Sequence, residues 1–102
     1  MVNVTFNVDM SDESFQTVFI ASDFNNWREV EMQPSVDSIY SYTIQLENNT
    51  NYEYKFIKLN DGLKTWEPIS PPHAVNYQFW NRLVEVGEVD INLPALHYGR
   101  FD

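Results

Sequence analysis

Apolar and polar residues alternate over several stretches of the chain, and the period is two. Val2, Val4, Phe6, Val8 and Met10 alternate with Asn3, Thr5, Asn7 and Asp9, which predicts a strand buried on one face. Thr17 to Ser22 is a mostly apolar stretch and reads as a second, central strand. Arg28 to Pro34 has no clear period, with Met32 as its inward anchor. Tyr40, Tyr42, Ile44 and Leu46 then alternate with Ser41, Thr43 and Gln45, a third strand. Residues 52 to 59 continue the pattern, with Tyr52, Tyr54 and Phe56 on one side and Glu53, Lys55 and Ile57 on the other. Asn60-Asp61-Gly62 follows as a turn, because Asn and Gly tolerate the positive φ of a tight reversal. The returning arm of this hairpin runs through Lys64 to Trp66.

Prolines 68, 71 and 72 make residues 68 to 74 a loop, since proline cannot donate to a ladder. Leu83 to Val86 and Val89 to Leu93 read as two short strands split by Gly87, and the tail after Pro94 has no pattern, although Tyr98 and Phe101 are candidates to pack back. No helical period lasts beyond a turn. About seven short strands separated by turn signals predict an all-β fold, an immunoglobulin-like antiparallel β-sandwich. With 102 residues and no repeat or linker, residues 1–102 form a single domain.

Charge narrows the partners. Fifteen acidic and six basic residues give a net charge of −9, which repels phosphate backbones and anionic surfaces, so no nucleic acid and no membrane insertion are expected. The N-terminus lacks a basic-then-apolar signal pattern. Without cysteine there are no disulfides or thiolate metal sites. His73 and His97 have no ligand spacing around them, and Asp9, Asp12 and Glu13 lack the loop pattern of a calcium site, so no metal is expected. No carboxylate pair is marked out for glycoside hydrolysis, and there is no serine nucleophile motif or phosphate loop. Neither a catalytic residue nor a cofactor is expected. Two sequons, Asn3-Val4-Thr5 and Asn48-Asn49-Thr50, match the glycosylation acceptor pattern at a frequency expected by chance in an Asn-rich chain.

Aromatic residues are the remaining signal, at 16% of the chain. The ordinary fate of a tryptophan is the core. Trp27 and Trp66, however, each follow a turn and are flanked by polar residues: Asn25, Asn26 and Arg28 around the first, Thr65 and Glu67 around the second. That context predicts exposed rings. Trp80, after Phe79, is either a core plug or part of the same surface. A flat indole beside the Lys55 donor suits a sugar ring, which offers apolar C–H faces and hydroxyl edges. Lys55 has the alternative of a surface ion pair with Glu53 or Glu67.

These residues carry a family resemblance. Phe24-Asn25-Asn26-Trp27, then Tyr54-Lys55-Phe56 with Trp66 ten residues later, then Asn81 before Val84-Glu85-Val86, resembles the starch- and glycogen-binding modules. These are carbohydrate-binding-module families 20 and 48, the latter including the glycogen-binding domain of the AMP-activated protein kinase β subunit. The resemblance covers about residues 15–93. It implies a β-sandwich that binds α-1,4-glucans without catalysis, with Trp27 and Trp66 stacking on the glucan and Lys55 and Asn81 bonding its hydroxyls. By the same resemblance Tyr77 is a weaker, apolar contact, while the alternation around Tyr40 favours the core. Ser22 stands where these families often carry glycine, which puts the exit angle of the Trp27 loop in question. Arg82 either caps the same site or pairs with one of the many carboxylates.

The resemblance further implies a monomeric module fused to another domain, extracellular or at the cell surface if its parent is a secreted glucan-processing protein. The competing expectation is a structural or protein-interaction sandwich, a spacer that has lost glucan binding. It requires Trp27 or Trp66 to be buried, against a neighbouring domain or within this one.

Overall fold

A computed structural model of the chain describes residues 1–67 and 81–99. Among them are ten strands and one short 3-10 turn, arranged as two five-stranded sheets packed face to face. The expected strands are present. The strand expected over Val89 to Leu93 is cut to the two residues of β9 (Ile91–Asn92), and the additional ones are two-residue ladders: β3 (Val30–Glu31), β4 (Gln33–Pro34) and β10 (Leu96–His97). Elements this short leave no periodicity in a sequence.

The first sheet is built on β1 (Val2–Asp9), which pairs antiparallel with β5 (Ile39–Leu46) along its whole length, from Val2 opposite Leu46 to Asp9 opposite Ile39. Directly opposed residues share a face. The inward row of β1, Val2, Val4, Phe6 and Val8, therefore meets Leu46, Ile44, Tyr42 and Tyr40 and is buried. Outward residues satisfy one another, as in the Thr5–Thr43 hydroxyl pair at 2.9 Å and the Asn7 amide bonded to Asn92 at 2.7 Å. The tail does not follow the antiparallel expectation. β9 and β10 return along β1 in parallel, so the sheet is mixed, and buried Tyr98 holds that return in place.

The second sheet is organised by β6 (Thr50–Asn60), the longest strand at 11 residues. One edge of β6 pairs with β2 (Thr17–Ser22), from Thr17 opposite Leu59 to Ser22 opposite Tyr54. Two strands in tandem take the other edge. β7 (Leu63–Trp66) pairs with residues 57–60, and β8 (Arg82–Val86) pairs with residues 50–54. The chain crosses between the sheets at Met32, which is buried and whose amide donates to the Val18 carbonyl at 2.9 Å.

β6 departs from the expectation of burial on one face. Tyr54 and Phe56 enter the inter-sheet core, but Ile57, on the opposite face, is fully buried as well. Its cross-strand neighbours on that outer face are Phe19 and Trp66. Apolar surface therefore gathers outside the sandwich as well as inside it.

Tyr54 stacks edge-on against Phe6 at 4.8 Å and against Phe56 at 5.6 Å. Burial pushes its phenol up to about 12, with the Arg82 charge opposing and the Glu67 charge adding. The unfolded chain loses this proton near 10 while the folded one retains it, so stability is intact below that pH and falls as the pH rises toward 12. The loss is about 3 kcal/mol at most. Urea titrations between pH 9 and 12 are expected to show this decline in the parent and a shallower one in Tyr54→Phe. Parallel curves for the two proteins would contradict it.

Candidate functional site

The site forms where the tandem edge of β6 is interrupted. Opposite Lys55 and Phe56 neither β7 nor β8 continues the strand pairing: β7 ends at Trp66, opposite Ile57, and β8 begins at Arg82, opposite Tyr54. Alternation then sorts the residues at the break. Trp66 lies on the outer face with Ile57 and Lys55, and Asn81, one residue before Arg82, lies on that face too. Glu67 and Arg82 lie on the inner face with Tyr54 and Phe56.

Across β6, the β2–β3 connection brings in Trp27. Ser22 ends β2 in extended conformation and begins a 3-10 turn at Asp23–Asn25. Its hydroxyl accepts the Phe24 amide at 3.2 Å and donates to the Glu53 carbonyl at 2.6 Å. Ser22 therefore ties the loop to β6 by its own side chain, a bond glycine cannot make. Phe24 points inward against Phe6 and Tyr52, with ring centroids 5.8 and 6.1 Å away. Asn26 and Trp27 follow at φ 59° and 61°. Asn visits this left-handed region readily, but a bulky residue there is strained. Hydrogen bonds hold the strained turn: the Trp27 amide donates to the Ser22 carbonyl at 2.8 Å, and the Asn25 side chain to the Arg28 carbonyl at 3.0 Å.

Trp27, Lys55, Trp66 and Asn81 line one cavity of about 440 Å³, within the range of small-ligand sites. Trp66 is 42% exposed and Trp27 half-buried. Neither is inside the inter-sheet core, so the burial within this domain that is one form of the spacer alternative does not occur. Burial holds the Lys55 ammonium below the ordinary lysine range, with the Glu67 carboxylate partly offsetting it. Asn81 is 6% exposed, and its amide donates to the Glu53 carboxylate at 3.2 Å.

Four of the six candidate site residues thus surround one cavity, while Tyr77 and Trp80 lie outside the described residues, as do the 68–74 loop, His73 and Phe101. Two polar residues are placed differently from their expectation. Glu67, read as a polar flank of Trp66 and a candidate surface partner of Lys55, is 0% exposed. It meets Arg82 in a bidentate pair, with Nε to Oε1 at 2.8 Å and Nη2 to Oε2 at 2.5 Å. Arg82 is thereby a carboxylate partner on the inner face rather than a cap on the cavity. Sequence spacing did not reveal this pair, because its members are separated by 15 positions. Glu53 was read only as an ion-pair alternative for Lys55, and its contact with Asn81 places it at the cavity margin.

Other candidates resolve into local structure. Asp9 accepts the Ser11 amide at 2.9 Å, a bond that holds its pKa below the usual carboxylate value. Glu13 pairs with Lys58 at 2.7 Å. No cluster of metal-ligating side chains occurs among the described residues.

Comparison with known proteins decides the family. Residues 1–85 match the model of the starch binding domain. The chain belongs to the starch-binding domain family. Among solved structures, this starch-binding domain is similar to a glycoside hydrolase family 15 glucoamylase from Hypocrea jecorina, at 25% identity and a TM-score of 0.69, covering 97% of this chain and 17% of the other. A γ-CGTase from alkalophilic Bacillus clarkii is similar at 21% identity and a TM-score of 0.68, covering 96% and 15%. The second likeness speaks to fold alone. The chain spans less than a fifth of either structure. No curated protein matches it significantly. A starch-binding domain binds α-glucan without transforming it, and non-catalytic binding as a module is the function of this domain.

Proposed function

We propose that the domain holds an α-1,4-glucan chain across the cavity, with Trp27 and Trp66 stacking on glucose faces and Lys55 and Asn81 bonding hydroxyls. Tyr77 and Trp80, from the connection between Glu67 and Asn81, add further apolar contact. The observation that carries this reading is the cavity of about 440 Å³ lined by two indoles, an ammonium and an amide. Indoles take the C–H faces of a sugar, and the polar pair takes its edges.

Each stacked ring removes roughly 100 Å² of apolar surface from water, about 2.5 kcal/mol gross. Association and ordering costs offset much of that. The expected dissociation constant is therefore on the order of 10 μM to 1 mM. An affinity this weak suits a monomeric module that raises the local concentration of polymer beside a fused partner domain. A net charge of −9 favours a neutral polysaccharide over nucleic acid or anionic membrane. The parent implied is a larger glucan-processing or surface protein, extracellular or at the cell surface if that parent is secreted, with any catalysis in its other domains.

Titration calorimetry with maltoheptaose and with cellohexaose tests the reading. Saturable binding of the first and none of the second is expected, because a curved α-1,4 chain fits a concave cavity lined by two indoles and a flat, straight β-1,4 chain does not. Equal response to both sugars, or to neither, defeats it. Within the site, Lys55→Met is expected to weaken maltoheptaose binding about three- to tenfold, the worth of one hydrogen bond to a charged donor in a part-solvated cavity. Unaltered affinity in Lys55→Met would take the ammonium out of the site.

A further inference from the structure

We infer that the buried Glu67–Arg82 pair is the positioning element of the glucan site, setting the relation of Trp66 to Asn81. The inference rests on the reading of the cavity as that site. Trp66 and Glu67 are adjacent, as are Asn81 and Arg82, and alternation sends the first of one pair and the second of the other to opposite faces. Whatever fixes Glu67 against Arg82 on the inner face therefore fixes Trp66 against Asn81 on the outer face. Strand pairing does not do this. β7 and β8 bond to β6 at separate stretches, residues 57–60 and 50–54, and meet each other nowhere in the ladder.

Glu67 closes that break with its main-chain amide and its carboxylate. Its amide donates to the Phe56 carbonyl at 3.0 Å, and Oε1 accepts the Phe56 amide at 3.2 Å. Oε1 and Oε2 together take the fork of Arg82, and Oε2 also accepts the Gly99 amide at 2.6 Å. The carboxylate thus receives four hydrogen bonds, from β6, β8 and the turn that follows β10. Arg82 is seated over the Phe56 ring, 5.4 Å from its centroid, and Nη2 donates to the His97 carbonyl at 3.3 Å. Tyr98 donates to the Thr65 carbonyl at 2.6 Å, one residue before Trp66. His97, Tyr98 and Gly99 lie beyond the matched residues 1–85, so the tail supplies a brace that the family match does not include.

A buried pair of this kind contributes little net stability relative to apolar residues of similar size. Replacing both members together is the change that separates positioning from stability. In the double variant E67M/R82M no charge is stranded, so the domain is expected to stay folded, with a thermal midpoint lowered only by the loss of the acceptor for the Phe56 and Gly99 amides and with maltoheptaose affinity at least fivefold weaker. Iodide quenching of tryptophan is expected to change in the free double variant, since Trp66 is no longer held at its angle. The conservative variant R82K keeps the charge and loses the fork. It is expected to stay folded and to bind about threefold more weakly.

A folded E67M/R82M with parental affinity and quenching overturns the inference. Should that variant fail to fold, parental affinity in R82K overturns it instead. The parent and Trp66→Ala are titrated alongside. If the parent binds, Trp66→Ala does not, and the pair variants match the parent, the positioning role fails while the glucan site stands. A parent that does not bind maltoheptaose removes both.

Discussion

Replacing Trp66 with alanine is expected to weaken maltoheptaose binding at least tenfold and to leave the domain folded. Trp66 ends an edge strand whose side chains are all exposed, so its removal opens no hole in the inter-sheet core. The lost stacking area, roughly 100 Å², corresponds to about 2.5 kcal/mol gross. Even if two fifths of that is offset by solvent and ordering, about 1.5 kcal/mol remains, slightly more than the roughly 1.4 kcal/mol of a tenfold change. Trp27→Ala is expected to have an effect of similar size by the same area argument. Its backbone bond to Ser22 survives, because the main-chain amide makes it. Calorimetry for affinity, with circular dichroism for the fold, checks both variants. Parental affinity in the two alanine variants would leave a starch-binding domain whose sugar lies elsewhere.

Glu67→Ala is expected to be the most damaging single substitution for stability, costing about 3–5 kcal/mol. Alanine strands a guanidinium that is 2% exposed and removes the acceptor for the Phe56 and Gly99 amides. Small domains have only about 5–15 kcal/mol in hand. For a chain this size the thermal midpoint should fall by at least roughly 12 °C. Differential scanning calorimetry measures this directly. A midpoint within about 3 °C of the parent would show that the charge of Arg82 finds another partner or reaches water.

These two expectations concern neighbouring residues with opposite roles, and the difference was only half visible in the chain. Polar flanks marked Trp66 as exposed, correctly. The same reasoning used Glu67 only as a polar flank, and missed that a strand that alternates must send one of two neighbours inward and that the inward one here is charged. Burial of a carboxylate requires a specific partner, and that partner lies across a connection of unpredictable course. The tail is a second instance. Leu96 and His97 form a parallel ladder with Val8 and Asp9, a contact over almost the full length of the chain that no local pattern encodes.

By itself the sequence determined the sandwich, because a period of two is read directly from the order of side chains and needs no partner to be named. It also marked Trp27, Lys55 and Trp66 by their chemistry and surroundings, and Asn81 by the family resemblance. Only the tertiary structure decided that these four face one cavity, that β7 and β8 share an edge of β6, and that a buried ion pair spans the break. The reason is physical: alternation specifies which face a residue takes within its own strand, whereas the juxtaposition of strands distant in sequence depends on register and burial summed over the whole fold.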